Sequence, residues 1–194
     1  MIHQLSLKVT DYFFSRKIFT VDSYDVYTYG FEMILSILIG FTSIFICGIL
    51  SHSLIRALLY YFIFVTIRTF SGGYHADTHI MCKSVFCGTF LLDILLENLL
   101  ISKYNLTIHL VIVSINIISS ILLAPVESKN KPISENIKKR NRTISIIIYI
   151  IISIITIFLL PISIKWAMFI TLVMTNTSLL MYIGILKERR HKHE

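Results

Sequence analysis

The densest group of nucleophile and base candidates in this chain of 194 residues is His75, Asp77, His79 and Cys82, just past the pair Gly72-Gly73. A Cys/His pair is a minimal machine for acyl transfer. The imidazole takes the thiol proton, and the thiolate attacks a carbonyl to give a thioester. Spacing alone leaves two other readings open. His75, His79 and Cys82 stand at i, i+4 and i+7, so a straight helix would carry all three on one face and could present zinc with an open position. Against zinc, no Glu follows His75 in the His-Glu-x-x-His order. The third reading is a polar loop with an incidental thiol. Of the other two cysteines, Cys47 lies inside an apolar block and reads as a small buried hydrophobe. Three cysteines are too few, and odd in number, for a disulfide framework.

The residues around this group suggest supporting roles. Gly72 and Gly73 permit positive φ and end a helix. Backbone amides of Ser71, Gly72 and Gly73 could form an oxyanion nest, or the glycines could simply turn the chain and let helices approach. Arg68 suits a substrate carboxylate or the membrane interface. Asp93 and Glu97, one turn apart, are costly in lipid and should face the bundle interior or water, where either could orient His75. The stretch 125–142 carries Lys129, Lys131, Lys138, Lys139, Arg140 and Arg142, a basic loop that could dock an acidic partner or merely set topology.

Composition decides what positions these residues. The chain is 55% hydrophobic and only 15% charged, against about a quarter charged in soluble domains. Its mean hydropathy is +0.76. The apolar residues come in blocks, and no polar stretch is long enough for a second core, so residues 1–194 read as one all-α integral membrane domain. A bilayer core needs about 20 helical residues. Six spans are expected at about 32–50, 53–69, 84–102, 105–124, 143–161 and 163–184, the third weakened by its two acids. Residues 1–20 read as an amphipathic helix with Ile2, Leu5, Val9, Tyr12, Phe13 and Phe19 on one side, lying on the membrane or packed against the bundle. No cleaved signal peptide is evident.

The net charge of +7 does not point to nucleic acid, because the basic residues sit at the ends of apolar blocks. The N-terminal arm, the two long connections and the C-terminal tail hold fifteen of the eighteen Lys and Arg, leaving Arg56, Lys103 and Lys165 on the opposite side. Six spans put all four basic regions on one face, which the positive-inside effect makes cytoplasmic, with both termini.

Arg68-Thr-Phe-Ser-Gly-Gly-Tyr-His75-Ala with Cys82 seven residues after the His resembles the signature of the accessory gene regulator B (AgrB) endopeptidases. Ala124-Pro-Val-Glu-Ser-Lys-Asn-Lys-Pro-Ile133 is similar to that family's second recurrent block. Length, motif order and hydropathy agree along essentially the whole chain. The resemblance implies a bacterial plasma-membrane cysteine endopeptidase in quorum sensing, with His75 and Cys82 catalytic and no cofactor or metal. Its partner would be a short precursor peptide with an amphipathic leader and an acidic tail, cut at the cytoplasmic face and cyclised to a thiolactone. A peptide exporter that does no proteolysis is the rival, and would depend on Glu32, Asp93 and Glu97 rather than on Cys82. A homodimer is the expectation from packing economy.

Geometry adds one condition. Residues seven apart on a straight helix are separated by about 10.5 Å of rise, and a base must come within about 3 Å of the thiol or act through one water. His75 can therefore serve Cys82 only if the chain breaks or turns within 72–80; in a continuous helix the base would be His79.

Overall fold

The structure is a computed structural model that describes residues 2–74, 79–126 and 134–193. Its helices are α1 (Ile2–Ser15), α2 (Tyr24–Leu50), α3 (Leu54–Ser71), α4 (His79–Leu100), α5 (Leu106–Leu123), α6 (Glu135–Leu159) and α7 (Ile164–His193), with one 3₁₀ turn at Val21–Ser23. Lipid offers the backbone no hydrogen bonds, so apolar blocks of this length satisfy their own N–H and C=O groups as helices. The fold is that of an all-α membrane protein. Short turns join α2 to α3 and α4 to α5. In the first, Ser53 N donates to Gly48 O at 2.8 Å. In the second, Asn105 caps α5 by accepting from Ile108 N at 3.0 Å.

Five helices among the described residues are long and apolar enough to cross a membrane: α2, α3, α5, α6 and the Ile164–Arg189 part of α7. The expected third span, α4, falls short of that standard, carrying Lys83 as well as Asp93 and Glu97. Both acids are buried, however, while Leu91, Leu92, Leu95 and Leu99 face outward. A helix of 22 residues is about 33 Å long. With its acids turned inward, α4 packs on α2 and α7.

Three boundaries differ from expectation for one reason. Hydropathy marks the part of a helix in hydrocarbon, not where the helix ends. α2 starts eight residues before the expected span, α6 starts at Glu135, and α7 runs on to His193. Lys138, Lys139, Arg140 and Arg142 thus lie on the first turns of α6 and not in a loop. The terminal helix differs too. α1 folds back on α2 through Tyr24 OH donating to Asp11 at 2.5 Å and a Phe13–Phe31 stack with centroids 5.3 Å apart. It buries Ile2, Ser6 and Thr10 while Leu5 and Tyr12 stay exposed. Small polar residues allow the closest helix approach, so they take the inner stripe.

The same logic runs through the bundle, whose interior mixes small polar residues with aromatic and aliphatic ones and whose exterior is aliphatic. α7 packs on α3, α4, α5 and α6. Its seams are closed by hydroxyls and amides: Asn116 donates to Thr175 at 3.0 Å, and Tyr149 OH lies 2.9 Å from the Thr177 hydroxyl and 3.1 Å from that of Ser178. Between α3 and α4 lies an aromatic cluster of Tyr60, Phe64, Phe86 and Phe90, with Ile44 and Phe169. At one end of the bundle Arg56 donates to Glu97 at 2.8 Å and lies 5.1 Å from the Trp166 ring centroid. The turn at Gly72–Tyr74, the end of α5 and the last turns of α7 converge at the other end.

Candidate functional site

The site begins where α3 stops. Gly72 and Gly73 have φ of +66° and +129°, backbone conformations that side-chain-bearing residues rarely adopt. Gly72 N donates back to Arg68 O at 3.1 Å, closing the last turn. Arg68 then reaches forward: Nη1 donates to the Gly72 carbonyl at 3.4 Å, and Nη2 donates to the Tyr74 carbonyl. The guanidinium therefore clamps the turn that leads to His75.

Two other segments lock that turn. Val126 N donates to Ser71 O at 2.8 Å, and Gly72 and Val126 form an isolated parallel bridge. Tyr74 N donates to Leu180 O at 2.8 Å. On the α7 side the partner surface is Gly184, where an added Cβ would lie 2.8 Å from Tyr74 N and 2.9 Å from Gly73 C. A Cβ on Gly72 would run into the Val126 carbonyl. Lys187 Nζ lies 5.3 Å from the Tyr74 ring centroid. The two sequence blocks singled out above, one at 68–75 and the other starting at Ala124, are thus joined by backbone hydrogen bonds. Of the turn's amides, Gly72 N and Tyr74 N are engaged within the scaffold, so the glycines serve turning and close approach.

Gly184 carries a prediction. Gly→Ala in a helix interior ordinarily stabilises by about 1 kcal/mol, so Gly184→Ala should leave α7 intact while pushing Gly73 and Tyr74 away. A misplacement on the order of 1 Å costs about 100-fold in rate. If the site cuts a precursor peptide, as the sequence resemblance implies, cleavage by Gly184→Ala membranes, normalised to inserted protein, should fall on that scale; unchanged cleavage would separate the α7 contact from the site.

Cys82 enters from α4. It is half-buried, in the first turn of a helix that starts at His79. Arg68 and Lys83 lie within electrostatic range of its sulfur. The other two cysteines are placed differently. Cys47 and Cys87 interact with each other and pack against the aromatic cluster, to which Cys82 does not belong.

Among the described residues the remaining candidates are dispersed. His75, Asp77, Lys129 and Lys131 lie outside the described residues. Asp93 accepts from Asn176 at 2.5 Å, and Glu97 pairs with Arg56. Glu32 lies 3.4 Å from His3, towards α1. Lys138 and Lys139 line a cleft with Arg142, whereas Arg140 does not. Val126, Leu180 and Gly184 escaped sequence reasoning as site residues. Val126 had a signal, because it stands in the second block; a lone glycine in an apolar helix gave none for Gly184.

Five long apolar helices, with a helix break and an arginine clamp at the basic end of the bundle, define a multi-pass membrane protein. Residues 6–185 match the family model described as Accessory gene regulator B. The chain belongs to that family, and membership supports a role in the accessory gene regulator system of quorum sensing. Two similar curated proteins, both named as AgrB-like, come from Clostridium perfringens. The one from strain SM101 / Type A is 29% identical over 171 residues, covering 82% of this chain and 78% of that protein. The one from strain 13 / Type A is 26% identical over 168 residues, with the same shares. No solved structure matches the chain.

Proposed function

We propose that this protein is a membrane cysteine endopeptidase that cuts a short signal-peptide precursor at the cytoplasmic face. The observation that carries the proposal is the convergence of the Arg68–Tyr74 turn, Val126 and α7 at the end of the bundle that also holds Cys82. Cys82 thiolate attacks the scissile carbonyl of the precursor, and His75 takes the thiol proton and returns it to the leaving amine. The C-terminal fragment departs, and the N-terminal fragment stays on Cys82 as a thioester. An internal cysteine of the precursor then attacks that thioester, frees Cys82 and closes a thiolactone. Exchange between thioesters is close to isoenergetic, so ring closure wins only where water is kept out. A site at the edge of a bundle walled by lipid-facing helices supports that exclusion.

Orientation follows from charge. Arg68, Lys83, the start of α6 and the end of α7 share one end of the bundle, which the positive-inside effect places in the cytoplasm with both termini. The acidic tail of a precursor would be drawn to this end. Zinc is the chemical rival, and one experiment separates the two. Cleavage by purified protein should stop after thiol alkylation and persist in strong chelator. Loss of activity in chelator with recovery on added zinc would replace the Cys/His mechanism by a metal one.

A further inference from the structure

We propose that the cleft between the ends of α5, α6 and α7 binds the phosphate headgroup of an anionic phospholipid. Two adjoining hollows of about 330 and about 310 Å³ share Leu123, Pro125 and Lys138. Together they are lined by four cations, Lys138, Lys139, Arg142 and Arg189, against the two carboxylates Glu135 and Glu188. Lys138 and Arg142 stand one turn apart on α6 and so share a face. Arg142 Nη2 donates to the Ile121 carbonyl at 2.9 Å, which fixes the guanidinium against the end of α5. Its other N–H groups form part of a fork suited to phosphate.

The walls select the occupant. Leu122 lines the first hollow and is 68% exposed, and Ile118 one turn below is 54% exposed. On a membrane helix such side chains meet acyl chains. A headgroup tethered to two acyl chains matches the cationic rim and the apolar wall together. A soluble anion or an acidic peptide matches only the rim. The cleft also lies at the basic end of the bundle, the leaflet boundary where basic pockets between helices meet anionic headgroups. The excess of cations over carboxylates favours a headgroup with net negative charge over a zwitterion. The site is separate from Cys82: the cleft belongs to α5, α6 and α7, and Val126 and Pro125 close it towards the turn.

The test needs no catalytic readout. Full-length protein is purified with equimolar phosphatidylglycerol and phosphatidylcholine, and retained lipids are counted by native mass spectrometry. Phosphatidylglycerol should be retained preferentially, and the preference should fall by about fivefold per cation removed in Lys139→Gln, Arg142→Gln and Arg189→Gln. These are exposed side chains, and each variant is checked for helicity and monodispersity. Lys103→Gln and Lys165→Gln, at the other end of the bundle, should keep the full preference. Glycerol phosphate, inorganic phosphate and an acidic peptide, each added alone, should displace the lipid poorly. Equal retention of the two lipids, an undiminished preference in the cleft variants, or full displacement by free phosphate or by the peptide would overturn the assignment.

Discussion

Cys82→Ala is expected to lower precursor cleavage by at least about 10⁴-fold, the scale on which removing a catalytic nucleophile acts, with insertion and helicity unchanged. The thiol stands half-buried on the first turn of α4, outside the aromatic cluster that holds α3 against α4. Its removal takes one small group from the rim of the bundle and leaves no cavity in the core. Cys47→Ala and Cys87→Ala are the matched controls. Those thiols touch each other and the cluster, so each should cost some stability while cleavage stays close to wild type. Cleavage is followed by mass, and fold by circular dichroism in detergent. Substantial cleavage by the Cys82→Ala protein would remove the nucleophile assignment.

The second large effect distinguishes two histidines. His75→Ala should lose about 10²- to 10⁴-fold, the usual contribution of a positioned acid–base group, whereas His79→Ala should keep most of its activity. A base seven residues from Cys82 on a continuous helix is out of reach, so His75 can serve only if the chain turns between His75 and His79, in residues that lie outside those described. α3 ends at Ser71, Gly72 and Gly73 take positive φ, and α4 begins at His79. Arg68 and α7 hold the turn at Gly72–Tyr74, so the chain reaches His75 from a fixed point. The pH dependence of cleavage by each variant adds a second readout, because loss of the base removes the acid limb of the profile while loss of a bystander leaves it. An inactive His79→Ala beside an active His75→Ala would move the base to the helix end.

Much of this was legible in the sequence, because hydropathy and charge report directly on burial in lipid. The apolar blocks located the five helices long and apolar enough to span, and the inward face expected for the acids of α4 agrees with the burial of Asp93 and Glu97. The residue types at Arg68, Gly72 and Gly73 foretold a break before Cys82. Less legible was anything set by contact between distant segments. Asn176 as the partner of Asp93, and Arg56 as the partner of Glu97, depend on how α7 and α3 rotate against α4. Arg68 as a clamp on its own turn could not be told from Arg68 as a substrate ligand, since both need only a guanidinium near a helix end. The basic stretch before the fifth expected span read as loop because Lys and Arg lower hydropathy without opposing helix formation. The face of α1 was misjudged for a related reason. Leu5 and Tyr12 look outward, and close packing against α2 selected Ser6 and Thr10 beside Ile2.

The central claim is covalent chemistry at Cys82, and the most direct measurement is the mass of the protein caught during turnover. Purified protein mixed with precursor, quenched in acid within one turnover and weighed intact should carry the N-terminal fragment as a thioester. The added mass should disappear on treatment with hydroxylamine, map to Cys82, and be absent from Cys82→Ala. Cleavage of the precursor with no adduct on Cys82 at any quench time, or the same adduct on Cys82→Ala, would contradict it.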